Sequence, residues 1–141
     1  MGALREQIRG LSVAIIKNKN RILVSPGYDK SKDEHFFRLI GGGIEFGETS
    51  LEALHREIKE ELEAEIINCK LLTVIENIFT YNDEPYHEIC FIYSTEFKNS
   101  SLYNQEEFKI LDSPDDGKVI WLDIDEAKNN NVYPEGVKDL L

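Results

Sequence analysis

Apolar positions along this chain fall into short runs separated by polar turns, with one stretch of a different period. Leu11 to Ile16 is an apolar run, polar Lys17 to Asn20 follows, and Arg21-Ile22-Leu23-Val24 is apolar again, which predicts a hairpin. Ser25-Pro26-Gly27 is expected to end the second strand, and the polar stretch Tyr28 to His35 to form a surface loop. Phe36 to Ile40 reads as extended and runs directly into Gly41-Gly42-Gly43. At Thr49 the period changes. Thr49 and Glu52 make a Thr-x-x-Glu capping box, and at about 100° per residue Leu51, Leu54, Ile58 and Leu62 gather on one side of a helix reaching about Leu62. Leu71 to Tyr81 and Tyr86 to Phe97 are rich in β-branched and aromatic residues and flank Asn82-Asp83-Glu84-Pro85, a second hairpin. A polar loop from Lys98 to Lys118, a strand from Val119 to Ile124, a helical turn at Asp125 to Lys128 and a short helix from Pro134 to Leu141 complete the pattern. Strands alternating with two helices predict an α/β/α sandwich with a mixed sheet. The length suits one domain spanning 1–141 and is too short for two.

Composition narrows the function. Sixteen basic against 27 acidic side chains leave a net charge of −11, which argues against a nucleic-acid polymer or an anionic membrane as partner. No apolar run approaches the roughly 20 residues of a membrane span, and Met1 to Gly10 lacks the apolar core of a signal peptide, so a cytoplasmic location is expected. Cys69 and Cys90 form neither a disulfide framework nor a zinc motif and are expected to be reduced and buried.

The acidic charge is concentrated. Between Glu45 and Glu65 stand eight glutamates against Arg56 and Lys59, a local balance of −6 in 21 residues. Glu57, Glu60 and Glu61, spaced i, i+3, i+4, share one face of the helix beside its apolar stripe. Carboxylates so close repel one another, and a hard divalent cation relieves the repulsion, since Mg²⁺ or Mn²⁺ takes oxygen ligands and bridges to phosphates. The preceding glycines allow close backbone approach, so a carbonyl there could join the ion's shell, although a tight turn alone would also explain them.

Gly42, five residues, Glu48, seven residues, and then Arg56-Glu57-Ile58-Lys59-Glu60-Glu61-Leu62 resembles the Nudix box, Gly-x5-Glu-x7-Arg-Glu-(apolar)-x-Glu-Glu-x-Gly-(apolar). Every charged position agrees. Glu63 replaces the final glycine of the pattern, and Ile40 replaces the proline common before the glycine pair. The resemblance implies that Glu57, Glu60 and Glu61 ligate the metal with the Gly41 carbonyl, and that Arg56 pairs with Glu48, which is either a brace or an assisting base. It further implies Mg²⁺-dependent cleavage of a phosphoanhydride bond in a nucleoside-diphosphate-linked small molecule, such as a (d)NTP, ADP-ribose or nucleotide sugar. Mn²⁺ would substitute, and dimers are common in the resembled family, so a homodimer is an expectation as well.

Other residues carry weaker signals. Arg38, Gly42 and Gly43 adjoin the turn and are candidates for touching the substrate. Family members often add an acidic residue from outside the box as ligand or base; Glu107, Asp115 and Asp116 are candidates, with Glu88 a weaker one. Tyr28, Phe79, Tyr81 and Tyr133 could stack on a base, but strand aromatics more often pack a core. His35, His55 and His87 have no partners at metal-ligand spacing and are expected on the surface or in strands. Two alternatives to the hydrolase are a nucleotide sensor that binds without cleaving, which ordinarily loses box carboxylates, and an isopentenyl-diphosphate-type isomerase, for which neither cysteine has a catalytic setting.

Overall fold

The computed structural model describes residues 6–110 and 117–141. Strand β1 (Ile8–Ile15) carries an apolar run that is buried on both sides. Ala14, with the following Ile16, enters one core, and Val13 and Ile15 enter the other. Such a strand must be interior. It lies parallel to β6 (Glu84–Phe97) and antiparallel to β4 (Glu34–Gly43). The expected hairpin of Leu11–Ile16 with Arg21–Val24 is present but short: β2 (Lys17–Asn18) turns back on β3 (Arg21–Asp29), and the Leu23 N–H donates to the Ile16 carbonyl at 3.1 Å, whereas the rest of the Leu11–Ile16 run pairs elsewhere. Burying both faces of β1 requires long-range neighbours, and local pattern cannot name them.

The remaining strands are β5 (Ile66–Tyr81), β7 (Glu107–Lys109), β8 (Lys118–Asp123) and β9 (Val132–Tyr133). Among the described residues the mixed sheet runs β5-β6-β1-β4-β3-β8-β7, with β2 on β3 and β9 on β4. Helix α1 (Ser50–Leu62) packs against β1 and β4 on one face. Helix α2 (Ile124–Lys128) and Val137 of the final 3-10 turn fill the other core. The α/β/α sandwich with a mixed sheet is thus the observed architecture.

Several boundaries differ from the pattern. β3 does not end at Ser25-Pro26-Gly27; it continues to Asp29, with Pro26 opposite Phe37 and Gly27 opposite Phe36. Beyond Val24 its one sheet neighbour among the described residues is β4, so Pro26 stands at an open edge, where a missing N–H is tolerated. A side chain at Gly27 would collide with the Phe36 ring. Only Lys30–Asp33 is left as a turn of the expected 28–35 loop. The supposed loop from Lys98 holds a 3-10 turn at Ser100–Asn104 and β7, anchored by buried Phe108 and by a hydrogen bond from Trp121 Nε1 to the Gln105 carbonyl at 2.8 Å. Single anchors among polar residues leave no periodic trace. The terminal helix shrinks to Val137–Leu140, and Val132–Tyr133 instead forms a strand parallel to Phe37–Arg38.

α1 starts as its capping box requires, Thr49 and Glu52 each accepting from the other's backbone N–H. Ala53, Leu54 and Ile58 are buried, each large apolar side chain contributing about 1.5–3 kcal/mol. Leu62 is half-buried against the same core, whereas Leu51, expected in the stripe, is 40% exposed. The sheet covers a narrower arc than the apolar residues span. At the C-terminus Glu63 adopts φ 53°, ψ 35°, the left-handed conformation for which the family pattern supplies glycine. Glu63→Gly should stabilise the protein by about 1 kcal/mol. The check is a rise in the urea midpoint at unchanged m-value; an unchanged or lower midpoint would show that the glutamate is unstrained there.

Candidate active site

Arg56 ties α1 to the loop before it. Its Nε and Nη2 donate to the two oxygens of Glu48 at 2.7 and 2.9 Å, and Nη2 also donates to the Gly43 carbonyl at 2.9 Å. Glu48 accepts a further bond from the Glu45 N–H at 2.9 Å. This bidentate pair lowers the Glu48 carboxyl to about 2, chiefly through the Arg56 hydrogen bonds, then through the Glu45 N–H. The same contacts raise Arg56 above its ordinary value and keep it charged.

On its other edge, Arg56 Nη1 reaches Glu57 at 3.0 Å and Glu60 at 3.3 Å. Glu57 is half-buried and sits against Gly42: a Cβ at that glycine would lie 2.5 Å from Glu57 Oε2. Gly41 has φ 137°, and a side chain there would run into the Ser12 carbonyl of β1. These two glycines are therefore steric requirements, one for strand packing and one for seating a carboxylate. Glu60 is exposed, and Glu61 is half-buried. Among the described residues no three acidic, imidazole or thiol side chains stand closed in metal-ligand geometry; Arg56 bonds to one oxygen each of Glu57 and Glu60. The donor set nonetheless fits a hard divalent cation: it is all oxygen, and the seat at Gly42 would be filled by any other residue.

Gly41, Gly42, Gly43 and Glu61 line a cleft of about 430 Å³. Arg38, on β4, lines it too, with its guanidinium carbon 6.0 Å from the Phe36 ring centre. Arg9 and Glu88 also face the cleft, 3.8 Å apart. Burial pushes the Glu88 carboxyl up, and Arg9 and then Arg38 oppose that shift. Phe79, Tyr81 and Tyr133, expected as packing residues, form an aromatic wall together with Tyr86. Arg9, Asn77 and Tyr86 were not among the residues expected at the site; alternation along β5 and β6 was the trace of Asn77 and Tyr86, and Arg9 on β1 left none.

Other candidates lie elsewhere. Glu107 is exposed on β7, 3.8 Å from Lys118, and does not line the cleft. Asp115 and Asp116 fall outside the described residues. Tyr28 is 38% exposed and bonds to Asp33. His35 and His55 are exposed and His87 is half-buried in β6. Both cysteines are free; Cys90 is buried, its thiol pushed up to about 12 by burial, but Cys69 is half-exposed beside Thr95, because the end of β5 leaves it at the margin of the core.

A family model described as the NUDIX domain matches residues 7–140. Among solved structures, a MutT NUDIX hydrolase from Burkholderia pseudomallei is similar, with 26% identity, a TM-score of 0.62, and coverage of 85% of this chain and 86% of that one. A MutT protein from Bacillus halodurans has 19% identity and a TM-score of 0.63, covering 94% and 78%. A structure described as an ADP compounds hydrolase has 15% identity and a TM-score of 0.61, covering 86% and 62%; likeness at these lower identities speaks for the fold alone. The chain belongs to the Nudix family of hydrolases, enzymes that use divalent metal ions and act on small nucleotide-linked compounds.

The Glu48 shift has a definite sign. Its pKa is depressed on folding, so its contribution is complete above about 4.5 and declines as pH falls toward about 2. Wild-type protein should lose more stability than Glu48→Gln across that window in urea titrations; parallel losses would show that the pair does not couple to folding.

Proposed function

We propose that this chain hydrolyses a phosphoanhydride bond in a nucleoside-diphosphate-linked small molecule, such as a (d)NTP, ADP-ribose or nucleotide sugar, in a Mg²⁺-dependent reaction. The supporting observation is that Glu61 of the carboxylate face of α1 lines one cleft together with Gly41–Gly43, and that Glu57 rests on Gly42 beside it. Glu57, Glu60, Glu61 and the Gly41 carbonyl would hold the cation, with Mn²⁺ able to replace it. When bound, such an ion supplies positive charge to phosphoryl oxygens and lowers the pKa of water. The protein's own residues provide the frame. Arg56 holds Glu48, the Gly43 carbonyl and two of the carboxylates in one network, and with Glu48 committed to both guanidinium nitrogens its role is that of a brace. Arg9 and Arg38 supply positive charge along the cleft in a chain that is otherwise strongly acidic. That charge suits an anionic diphosphate.

Incubation with Mg²⁺ and a panel of (d)NTPs, ADP-ribose, dinucleoside polyphosphates and nucleotide sugars should yield turnover. Glu60→Gln, which retains shape but removes charge, should lower kcat roughly 100-fold or more, with an unchanged circular dichroism spectrum. Binding throughout the panel without release of phosphate products would refute hydrolysis and identify a sensor.

A further inference from the structure

The sheet beneath the cleft changes character row by row. Across β5, β6 and β1, the register aligns Ile75, Cys90 and Leu11, then Asn77, Glu88 and Arg9; the next pair on the same face is Phe79 with Tyr86. The first row is apolar, the last aromatic, and the polar row lies between them. Phe79 and Tyr86 are nearly parallel, 11° apart with centres at 5.3 Å, and Tyr133 stacks against Phe79 at 6.2 Å. All three rings line the cleft, as do Asn77 and Glu88.

Asn77 is the anomaly. It is only 8% exposed, and among the described residues its side-chain amide makes no hydrogen bond. An amide carries two donors and an acceptor, and because Asn77 lines the cleft these groups are open to whatever fills that space rather than sealed in the core. Its cross-strand neighbour Glu88 is 12% exposed at the side chain, and among the described residues its one ion pair is the long one to Arg9. Two hydrogen-bonding groups therefore stand side by side, short of partners, next to an aromatic shelf. A flat ring with polar atoms along one edge satisfies both requirements.

We propose that this row recognises a planar lactam ring, one carrying N–H beside C=O: the Glu88 carboxylate accepts from the ring N–H, the Asn77 amide donates to the ring carbonyl, and the ring stacks on the aromatic shelf. The assignment rests on the hydrolase reading and specifies the nucleoside that site accepts. Keto bases such as guanine, uracil and hypoxanthine present this edge. Adenine and cytosine carry these two kinds of atom in the reverse order, an accepting ring nitrogen beside a donating amino group, so they meet the pair only with the ring turned over, which moves the sugar and its phosphates off the line to the glycine turn; held in the keto-base orientation they leave both groups unmatched. Discrimination of this kind is steep, since the penalty falls on the protein's own groups.

The test measures kcat/KM for GTP, UTP, ATP and CTP with Mg²⁺, together with equilibrium binding of GMP and AMP by intrinsic fluorescence, for wild type, Asn77→Leu and Glu88→Gln. Wild type should prefer GTP over ATP by roughly 100-fold, with the difference mainly in KM. Asn77→Leu should reduce that ratio to several-fold. Glu88→Gln, whose amide can donate to the adenine ring nitrogen, should move it toward ATP, and this variant decides the matter if Asn77→Leu fails to fold. Equal kcat/KM for all four bases, or a preference unchanged in both variants, would overturn the assignment while leaving hydrolysis intact. GMP-selective binding that is lost in the variants, without turnover of any nucleotide, would uphold the ring assignment and overturn hydrolysis instead.

Discussion

The fork between Arg56 and Glu48 is the contact on which the site's geometry depends. Glutamates crowded onto one helix face repel each other and the loop that brings more of them nearby, and a single planar guanidinium answers several of those charges at once. It grips Glu48 with two nitrogens, holds the Gly43 carbonyl, and extends its remaining edge to Glu57 and Glu60. The helix, the glycine turn and the carboxylates thereby share one anchor. A lysine could supply the charge but not the fork.

That anchor works because the sheet beneath it is rigid. β1 is buried on both faces, so it cannot shift without disturbing two cores, and Gly41 is pressed against it too closely for any side chain. The glycine turn is consequently held from below by β1 and from above by α1. Glu57 occupies the space that the missing side chain of Gly42 leaves. A surface crowded with like charge persists where the backbone under it has no alternative position.

The opposite end of the cleft is governed by pairing. Asp29, only 4% exposed, accepts bonds from Ser31 and from the Asn82 N–H, joining the turn of the β3–β4 hairpin to that of β5–β6. Lys32 Nζ adds a bond to the Thr80 carbonyl at 3.0 Å. The aromatic wall is thus braced at its outer edge, much as the carboxylate face is braced by Arg56, and the cleft lies between two fixed boundaries.

What the residues announced by themselves was local in origin. The capping box, the helix from Ser50 to Leu62 and the shared face of Glu57, Glu60 and Glu61 follow from contacts within a few turns, so their chemistry is written in consecutive positions, whereas the Arg56–Glu48 pair was implied by the resemblance to the Nudix box. Glu63 was singled out by the glycine that the resembled pattern has at that position, and the structure places it in the left-handed turn at the helix end. Tertiary structure decided the rest. That β1 adjoins β6 and β4, that Leu51 stays exposed, and that Glu107 lies away from the cleft depend on which strands meet. Arg9, Asn77 and Glu88 stand in one row although nearly seventy positions separate the first two, since side chains of paired strands share a face only once register is chosen. Register is a property of the whole sheet, and no window of sequence contains it.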